Sequence, residues 1–269
     1  MDAPDRVVLV TGASSGIGSA CALYLAARGY RVYGASRSGT CDAPVEPLAM
    51  DVTVDGSVEA AVNHVFAREG RIDIVVNNAG ISMAGAVEDT SLEEARAQFE
   101  VNFFGVLRVC RAVLPILRAR RAGYLVNVGS IGGLVAVPFH GLYSASKFAI
   151  EGVTESLRME AGPLGVRVVL IEPGDHRTAL TARRQMTAES QTNPAYRERF
   201  RMAAARMAQD EQNGPAPEAV ARLLHKIVNN PRPRLRYTVG PVPERAAVWL
   251  KRLAPYSMVE KAMRFYYFR

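Results

Sequence analysis

The segment that most limits the fold is the passage from residues 6–10 (RVVLV), through residues 11–18 (TGASSGIG), into a stretch with helical spacing. A β-branched run, a glycine-bearing turn and a helix in that order open a βαβ unit. Glycines in such a turn permit a tight bend and close approach of a pyrophosphate. The helix N-terminus behind it offers N–H donors and a partial positive charge. Three glycines alone are a weak signal, but their place between strand and helix makes it a strong one. Gly12, Ser14, Ser15, Gly16, Ile17 and Gly18 are therefore the candidate phosphate cradle.

The alternation continues. Further strands are expected over 31–35, 45–50, 72–76, 124–128 and 166–171, and helices over 19–28, 57–69 and 142–162. A long helical stretch spans 92–120, where Pro115 should kink or end it. Strands separated by helices imply a parallel sheet covered on both faces. After Pro173-Gly174 the pattern changes. Residues 178–215 are polar and rich in Arg and Met, and are expected to form a helical lid. A helix over 217–229 follows, then a strand candidate over 235–239. Residues 231–269 form a C-terminal extension whose amphipathic helix is interrupted by Pro255. The whole of 1–269 reads as one domain with one sizeable core.

Composition excludes several classes. Cys21, Cys41 and Cys110 are scattered, without disulfide or metal spacing, which fits a reducing compartment. His64 and His225 lie in ordinary helices, and no metal is expected. The net charge of +7 comes from dispersed Arg and Lys, so the surface is basic but no nucleic-acid partner is expected. The N-terminus does not read as a signal peptide, and no apolar run is long enough to span a bilayer. A cytoplasmic protein is the expectation.

The end of the second strand, Gly34-Ala35-Ser36-Arg37-Ser38, lacks the acidic residue that would bind the ribose hydroxyls of NAD. Arg37 can instead pair with a 2′-phosphate, which favours NADP(H) over NAD(H); a solvated surface arginine is the blander reading. Ser14 can add a hydroxyl to the same phosphate. Asp51-Val52 follows the third strand, where a carboxylate can accept from the adenine amino group or simply lead a helix. After the fourth strand, Asn77-Asn78-Ala79-Gly80 lets backbone approach the adenine ribose while its amides brace the sheet.

Tyr143 and Lys147 are four residues apart on an expected helix, and so share a face. A phenol is a poor base at neutral pH, and a neighbouring ammonium should lower its pKa. Ser130 ends the strand before them, where its hydroxyl can donate to a carbonyl oxygen. Asn102, through its side chain or a nearby backbone carbonyl, can hold a water that links Lys147 to solvent.

Together, residues 11–18, Asn77–Gly80, Asn102, Ser130, Tyr143-Ser-Ala-Ser-Lys147 and Pro173-Gly174 resemble the short-chain dehydrogenase/reductase family in order and spacing. The resemblance covers residues 6–180. It implies a three-layer, doubly wound Rossmann-type α/β fold and a nicotinamide cofactor. It also implies an Asn102–Ser130–Tyr143–Lys147 tetrad in which Lys147 holds the nicotinamide ribose. Residues 143–152, 155–160 and 231–237 look most like the branch of 17β-hydroxysteroid and retinol dehydrogenases. The resemblance further implies a homo-oligomer, dimer or tetramer, packed through helices near Leu107 and Val153. One departure stands out: Pro173-Gly174 runs on as Asp175-His176-Arg177-Thr178, so His176 takes a position the family usually gives to an apolar residue. Its backbone and Thr178 can still meet the nicotinamide amide.

Phe139 and His140 precede Tyr143 and are expected in the substrate wall. Met186, Met202 and Met207 suit a lid over a bulky ligand, of which Met186 is the chosen contact. Trp249 to Leu253 and Met263 to Arg269 mix aromatics with basic residues. That tail can meet an anionic membrane, the body of the protein or a second subunit. The reading is an NADP(H)-dependent oxidoreductase interconverting a secondary alcohol and a ketone on a steroid-, retinoid- or lipid-like substrate. Its rivals are a small-ketone or acyl-thioester reductase on the same scaffold, and a non-catalytic NADP-binding redox sensor.

Overall fold

The computed structural model describes residues 6–179 and 183–269. The leader-free reading of residues 1–5 and the lid reading of residues 180–182 lie outside the described residues. The strands β1 (Val7–Thr11), β2 (Arg31–Ser36), β3 (Glu46–Ala49), β4 (Ile74–Asn77), β6 (Tyr124–Val128), β7 (Arg167–Pro173) and β9 (Arg236–Val239) form one sheet. Every pairing in it is parallel, in the order β3-β2-β1-β4-β6-β7-β9.

Period-two alternation sends the apolar residues of each strand to both sides of the sheet, as a doubly covered sheet requires. Leu9, Val75, Leu125 and Leu170 face the helices α2 (Asp55–Glu69), α4 (Gly105–Ala119) and α5 (Gly141–Ala161), and pack with Val62, Val113, Leu117 and Ile150. Val8, Val10, Ile74, Val76 and Val126 face the other way. There they meet Leu25 of α1 (Gly16–Ala26) and Leu224 and Ile227 of the helix Glu218–Val228. The result is a three-layer, single-domain α/β structure. The chain leaves β1 towards β2 and β3, then returns to place β4 on the other side of β1. That reversal opens a crevice at the carboxyl ends of β1 and β4.

Three local details differ from expectation. Helix α1 begins at Gly16, inside the glycine turn. The stretch 92–120 is not broken at Pro115, which lies within α4. Pro115 and Arg111, whose carbonyl the proline leaves unpaired, both lie on the exposed face, where water can take the bond. The interruption comes earlier, where α3 (Leu92–Phe99) passes into a π-helical segment, Glu100–Phe104, before α4. Helix α3 opens with a capping box: Ser91 Oγ accepts from Glu94 N at 3.1 Å, and Ser91 N donates to Glu94 Oε2 at 2.8 Å.

The lid is anchored by a small parallel pair, β5 (Met83–Ala84) with β8 (Gln185–Met186), followed by α6 (Ala188–Thr192) and α7 (Arg197–Asn213). A buried ion pair joins Arg184 to Glu211 of α7. The helix Glu218–Val228, α8, leads to β9. The extension then forms two helices, α9 (Val242–Leu253) and α10 (Tyr256–Tyr267), with Pro255 at the break. Among the described residues no helix is long and apolar enough to cross a membrane.

Candidate active site

The cradle is built by backbone proximity. Gly12 has φ +66°, and a Cβ there would lie 2.8 Å from Ala79 Cα. At Gly18 a Cβ would meet Gly12 O at 2.3 Å and Asn78 Nδ2 at 2.4 Å, so only glycine fits. Asn78 braces the turn from β4, donating to Thr11 O at 3.0 Å and Gly12 O at 3.2 Å. The side chain of Ser15, the N-cap of α1, makes no capping bond, which leaves helix N–H groups facing the crevice. These features fit a dinucleotide pyrophosphate.

Around the cradle, Gly12, Ser14, Ser15, Gly16, Ile17, Arg37, Asp51, Val52, Asn78, Ala79, Gly80, Pro173, Gly174, His176 and Thr178 all line one cavity of about 860 Å³. Gly18 lies just behind it. Arg37 is exposed at the tip of β2, beside the buried Ser36. Asp51 Oδ1 accepts from Thr53 N at 2.9 Å and Thr53 Oγ1 at 2.7 Å. The Thr53 backbone bond, then its hydroxyl, hold the Asp51 carboxyl below the usual range, with help from Arg37 and Arg108. Asp51 therefore also serves the turn, as the alternative reading had it. Sequence reasoning missed Arg183, a second cation at the cradle: its Nη1 donates to Ser15 Oγ at 2.9 Å.

Ser130, Tyr143 and Lys147 line the same cavity, and Asn102 lies behind it. Lys147 Nζ donates to Val128 O at 2.9 Å and sits 5.9 Å from the Tyr143 ring centre. Burial lowers its pKa to about 8, against the opposing pull of Glu151. The Tyr143 phenol is pushed up to about 12, first by burial, with the Ser130 hydroxyl pulling the other way. This corrects the expectation that Lys147 makes the phenol more acidic. In the bare chain desolvation of the phenolate dominates, and Tyr143 is a protonated phenol at neutral pH. Asn102 is anchored at both ends of its amide: Oδ1 accepts from Ile81 N at 2.9 Å, and Nδ2 donates to Ile81 O and Ser146 Oγ, each at 3.1 Å. Of the two relay groups considered, the side chain is thus already engaged.

His140 stacks on Tyr143, ring centres 4.3 Å apart at 9°. Its Nε2 is 2.9 Å from Ser82 Oγ, which Arg184 also approaches. Burial, then Arg184, lower its pKa to about 3, so it is neutral. His176 is buried, its Nδ1 on Gly174 O at 2.8 Å; burial lowers its pKa, and Nε2 has no partner.

Two expected substrate contacts lie elsewhere. Phe139 has φ +58°, and this left-handed turn sends its ring away from the cavity, into a cluster with Tyr196, Phe200 and Phe268. Met186 pairs with Ala84 and is 38% exposed. Met207 is the lid methionine that reaches the cavity.

Beyond Tyr143 the cavity is lined by Val135, Val137, Met207, Met263 and Tyr267, with Asp175, Asp210, Glu211 and Glu244 in its wall. Tyr266 donates to Asp210 at 2.9 Å and Arg206 pairs with it at 3.2 Å, while Glu211 has Arg184. Asp175 and Glu244 have no such cation among the described residues. Burial, then Glu244, raise the Asp175 carboxyl to about 8, and burial raises Glu244 as well. These carboxylates are spread over 69 residues of chain, too far apart for a local pattern to reveal.

A family model described as short chain dehydrogenase matches residues 6–189. The 3-ketodihydrosphingosine reductase of Bacteroides thetaiotaomicron is 38% identical over 263 residues, covering 97% of this chain and 98% of that one. Retinol dehydrogenase 8 of Bos taurus is 35% identical, covering 87% and 81%. A short chain dehydrogenase/reductase from Burkholderia phymatum, solved in complex with NAD, has a TM-score of 0.79 at 26% identity, covering 94% and 95%. A short chain dehydrogenase from Burkholderia cenocepacia, solved in complex with NADP, has a TM-score of 0.75 at 27% identity, covering 98% and 99%.

Proposed function

The chain belongs to the short-chain dehydrogenase family of nicotinamide-dependent oxidoreductases, and from that premise we propose that it is an NADP(H)-dependent reductase of long-chain amino-ketones of the 3-ketodihydrosphingosine kind. The observation that carries the reading is one continuous cavity. It joins the phosphate cradle, the Tyr143 phenol and a chamber whose wall sets Val135, Val137, Met207 and Met263 beside carboxyl groups.

The cofactor, when bound, supplies the hydride. The residues from Gly12 to Gly18 hold its pyrophosphate, Arg37 its 2′-phosphate, Asp51 and Val52 the adenine, and Asn78 to Gly80 the adenine ribose. Pro173, Gly174, the His176 backbone and Thr178 position the nicotinamide amide, and Lys147 the adjoining ribose. Tyr143, already protonated, gives its proton to the carbonyl oxygen of the substrate. Ser130 donates a hydrogen bond to the same oxygen, which matters most as negative charge develops there. Lys147 supplies positive charge behind the phenol as it loses its proton. Asn102 fastens the 81 loop to α5, so that Ser130, Tyr143 and Lys147 keep their spacing.

A protonated amine beside the ketone would take the place of the proton that burial and Glu244 keep on Asp175 at neutral pH, and would pair with the two carboxyls. A neutral steroid or retinoid would leave Asp175 protonated at neutral pH and would gain no such pair. The reading includes a cytoplasmic homo-oligomer packed through α4 and α5, where Phe104 just ahead of α4 and Met159 of α5 are exposed. It also includes membrane contact through the C-terminal helices.

The test is NADPH oxidation by the purified protein with 3-ketodihydrosphingosine, its N-acetylated analogue, a steroid ketone, retinal and a small ketone. The free amine should be turned over, and N-acetylation should lower kcat/KM at least tenfold. Equal or faster turnover of the neutral steroid ketone would refute the amino-ketone reading. Turnover confined to the small ketone would favour the small-ketone rival. Tight NADPH binding without turnover on any substrate would favour the sensor.

A further inference from the structure

The C-terminal helix α9 has two faces with different occupants. Glu244, Ala247, Val248 and Lys251 turn inward. Of these, Glu244 and Ala247 line the cavity and Val248 is buried against Ile131 and Val135. On the opposite side Val242, Ala246, Trp249 and Leu253 recur at i, i+4, i+7 and i+11, which is one stripe of a helix. All four are exposed: Val242 by 72%, Trp249 by 63% and Leu253 by 83%. A solvent-facing stripe with helical period is not how a water-soluble surface is ordinarily patterned.

The charge beside the stripe indicates its occupant. Residues 242–269 hold six basic side chains and two acidic ones, and one of the acids, Glu244, faces the cavity. Arg245 and Arg252 flank the stripe, and Arg252 lies 5.4 Å from the Trp249 ring centre. In α10, Met258 and Phe265 are also exposed, with Lys261 at helical spacing between them and Arg269 over the Phe265 ring at 4.4 Å. Apolar and aromatic side chains edged by arginine and lysine suit a helix lying in the headgroup layer of an anionic bilayer. A basic fringe is not what a second copy of this basic chain would complement.

We propose that the outer face of α9, continued by α10, docks this protein on an anionic lipid surface. The proposal deepens the reading of a lipid-like substrate and rests on it in one respect. The inner face of the same helices walls the substrate chamber, so docking would bring the chamber alongside the bilayer that holds a long-chain ligand.

Trp249 is the one tryptophan in the chain, so its fluorescence reports the stripe directly. The full-length protein is titrated with vesicles of phosphatidylcholine alone and with vesicles containing phosphatidylglycerol at about three parts in ten. The expected result is a blue shift and co-sedimentation with the anionic vesicles only, reversed by high salt. Leu253→Glu and Arg245→Glu/Arg252→Glu should each weaken vesicle binding at least tenfold and leave NADPH oxidation on a water-soluble ketone unchanged. No blue shift with anionic vesicles, or equal binding by the Leu253→Glu variant, would overturn the proposal. So would a blue shift that follows protein concentration without lipid, with a doubled mass that Leu253→Glu abolishes, because a second copy would then cover the stripe. Vesicle binding is read without turnover, and turnover on a soluble ketone without vesicles. Failure of docking and failure of the reductase reading are therefore separate outcomes.

Discussion

Replacing Arg37 with alanine tests the assignment of NADPH most directly. The side chain stands at the tip of β2, where it lines the cavity, and it is exposed. A unit charge pair about 4 Å apart is worth about 1 kcal/mol in bulk water and about 4 kcal/mol at an effective dielectric of about 20. Exposure places Arg37 towards the weaker end of that range. The guanidinium fork and the multiple charge of a phosphate move it back up. A charge-assisted pair of this kind contributes about 1.5–3 kcal/mol, or roughly 10- to 150-fold. Arg37→Ala should therefore lower kcat/KM for NADPH by that factor and leave the value for NADH within about twofold, since NADH has no 2′-phosphate for Arg37 to hold. The assay is initial-rate oxidation of each cofactor with one ketone at fixed saturation, at low and at high salt. The difference between wild type and variant should shrink at high salt. A change in the NADPH to NADH ratio below about threefold would refute the argument. An unchanged ratio in Arg37→Ala with a fallen ratio in Arg183→Ala would move the phosphate contact to the lid.

Three further outcomes follow from the geometry. Tyr143→Phe should lower kcat by roughly 10²–10⁴, the usual worth of a positioned acid, while NADPH binding by fluorescence is retained; a loss under tenfold would remove the phenol from the chemistry. Acid should unfold the protein partly through His140. Its pKa is about 3 in the folded chain against 6.5 for the free side chain, so the unfolded state takes up the proton first as pH falls. Stability from this residue is whole above pH 6.5 and is lost as pH drops towards 3. By pH 5 about 2 kcal/mol is gone, a slice that His140→Asn should erase from urea midpoints measured at pH 7.5 and pH 5. Leu224→Ala empties a fully buried position between α8 and the sheet and should cost about 2–5 kcal/mol of unfolding free energy. Its kcat should stay within twofold, since the residue touches nothing in the cleft.

The parts legible in the sequence are those in which chemistry and fold are written locally. The cradle is one turn of eight residues, and Tyr143 and Lys147 are one helical turn apart, so spacing alone brings them together. The sheet strands are apolar runs whose burial on both faces leaves little choice of structure. What escaped depends on contacts between distant segments. The aim of Phe139 hangs on a single positive φ, and Met186 was drawn into a two-residue pairing with Met83–Ala84 rather than into the cavity. That Pro115 faces solvent, where the carbonyl it leaves unpaired is cheap, is decided by how α4 packs on the sheet. The sign of the Tyr143 shift was missed for a related reason. The effect of a neighbouring ammonium can be guessed from spacing, but the larger effect of burial needs the closed cavity.

The π-helical segment Glu100–Phe104 constrains how this chain can change. A π-helical turn carries one more residue than an α-helical turn, so removing one would rotate everything beyond it by about 100°. Ahead of the segment, Gln98 is aimed at Met83 N and Ile81 O; within it, Asn102 is aimed at Ile81 and Ser146. Behind it, Val109, Val113 and Leu117 are aimed at the sheet. Both sets of aims hold only with the extra residue in place. A single-residue deletion between 100 and 104 would have to give up either the fastening of the 81 loop or the packing of α4. Apart from Asn102, which holds the 81 loop, substitutions in this stretch can be absorbed one at a time, whereas its length cannot drift.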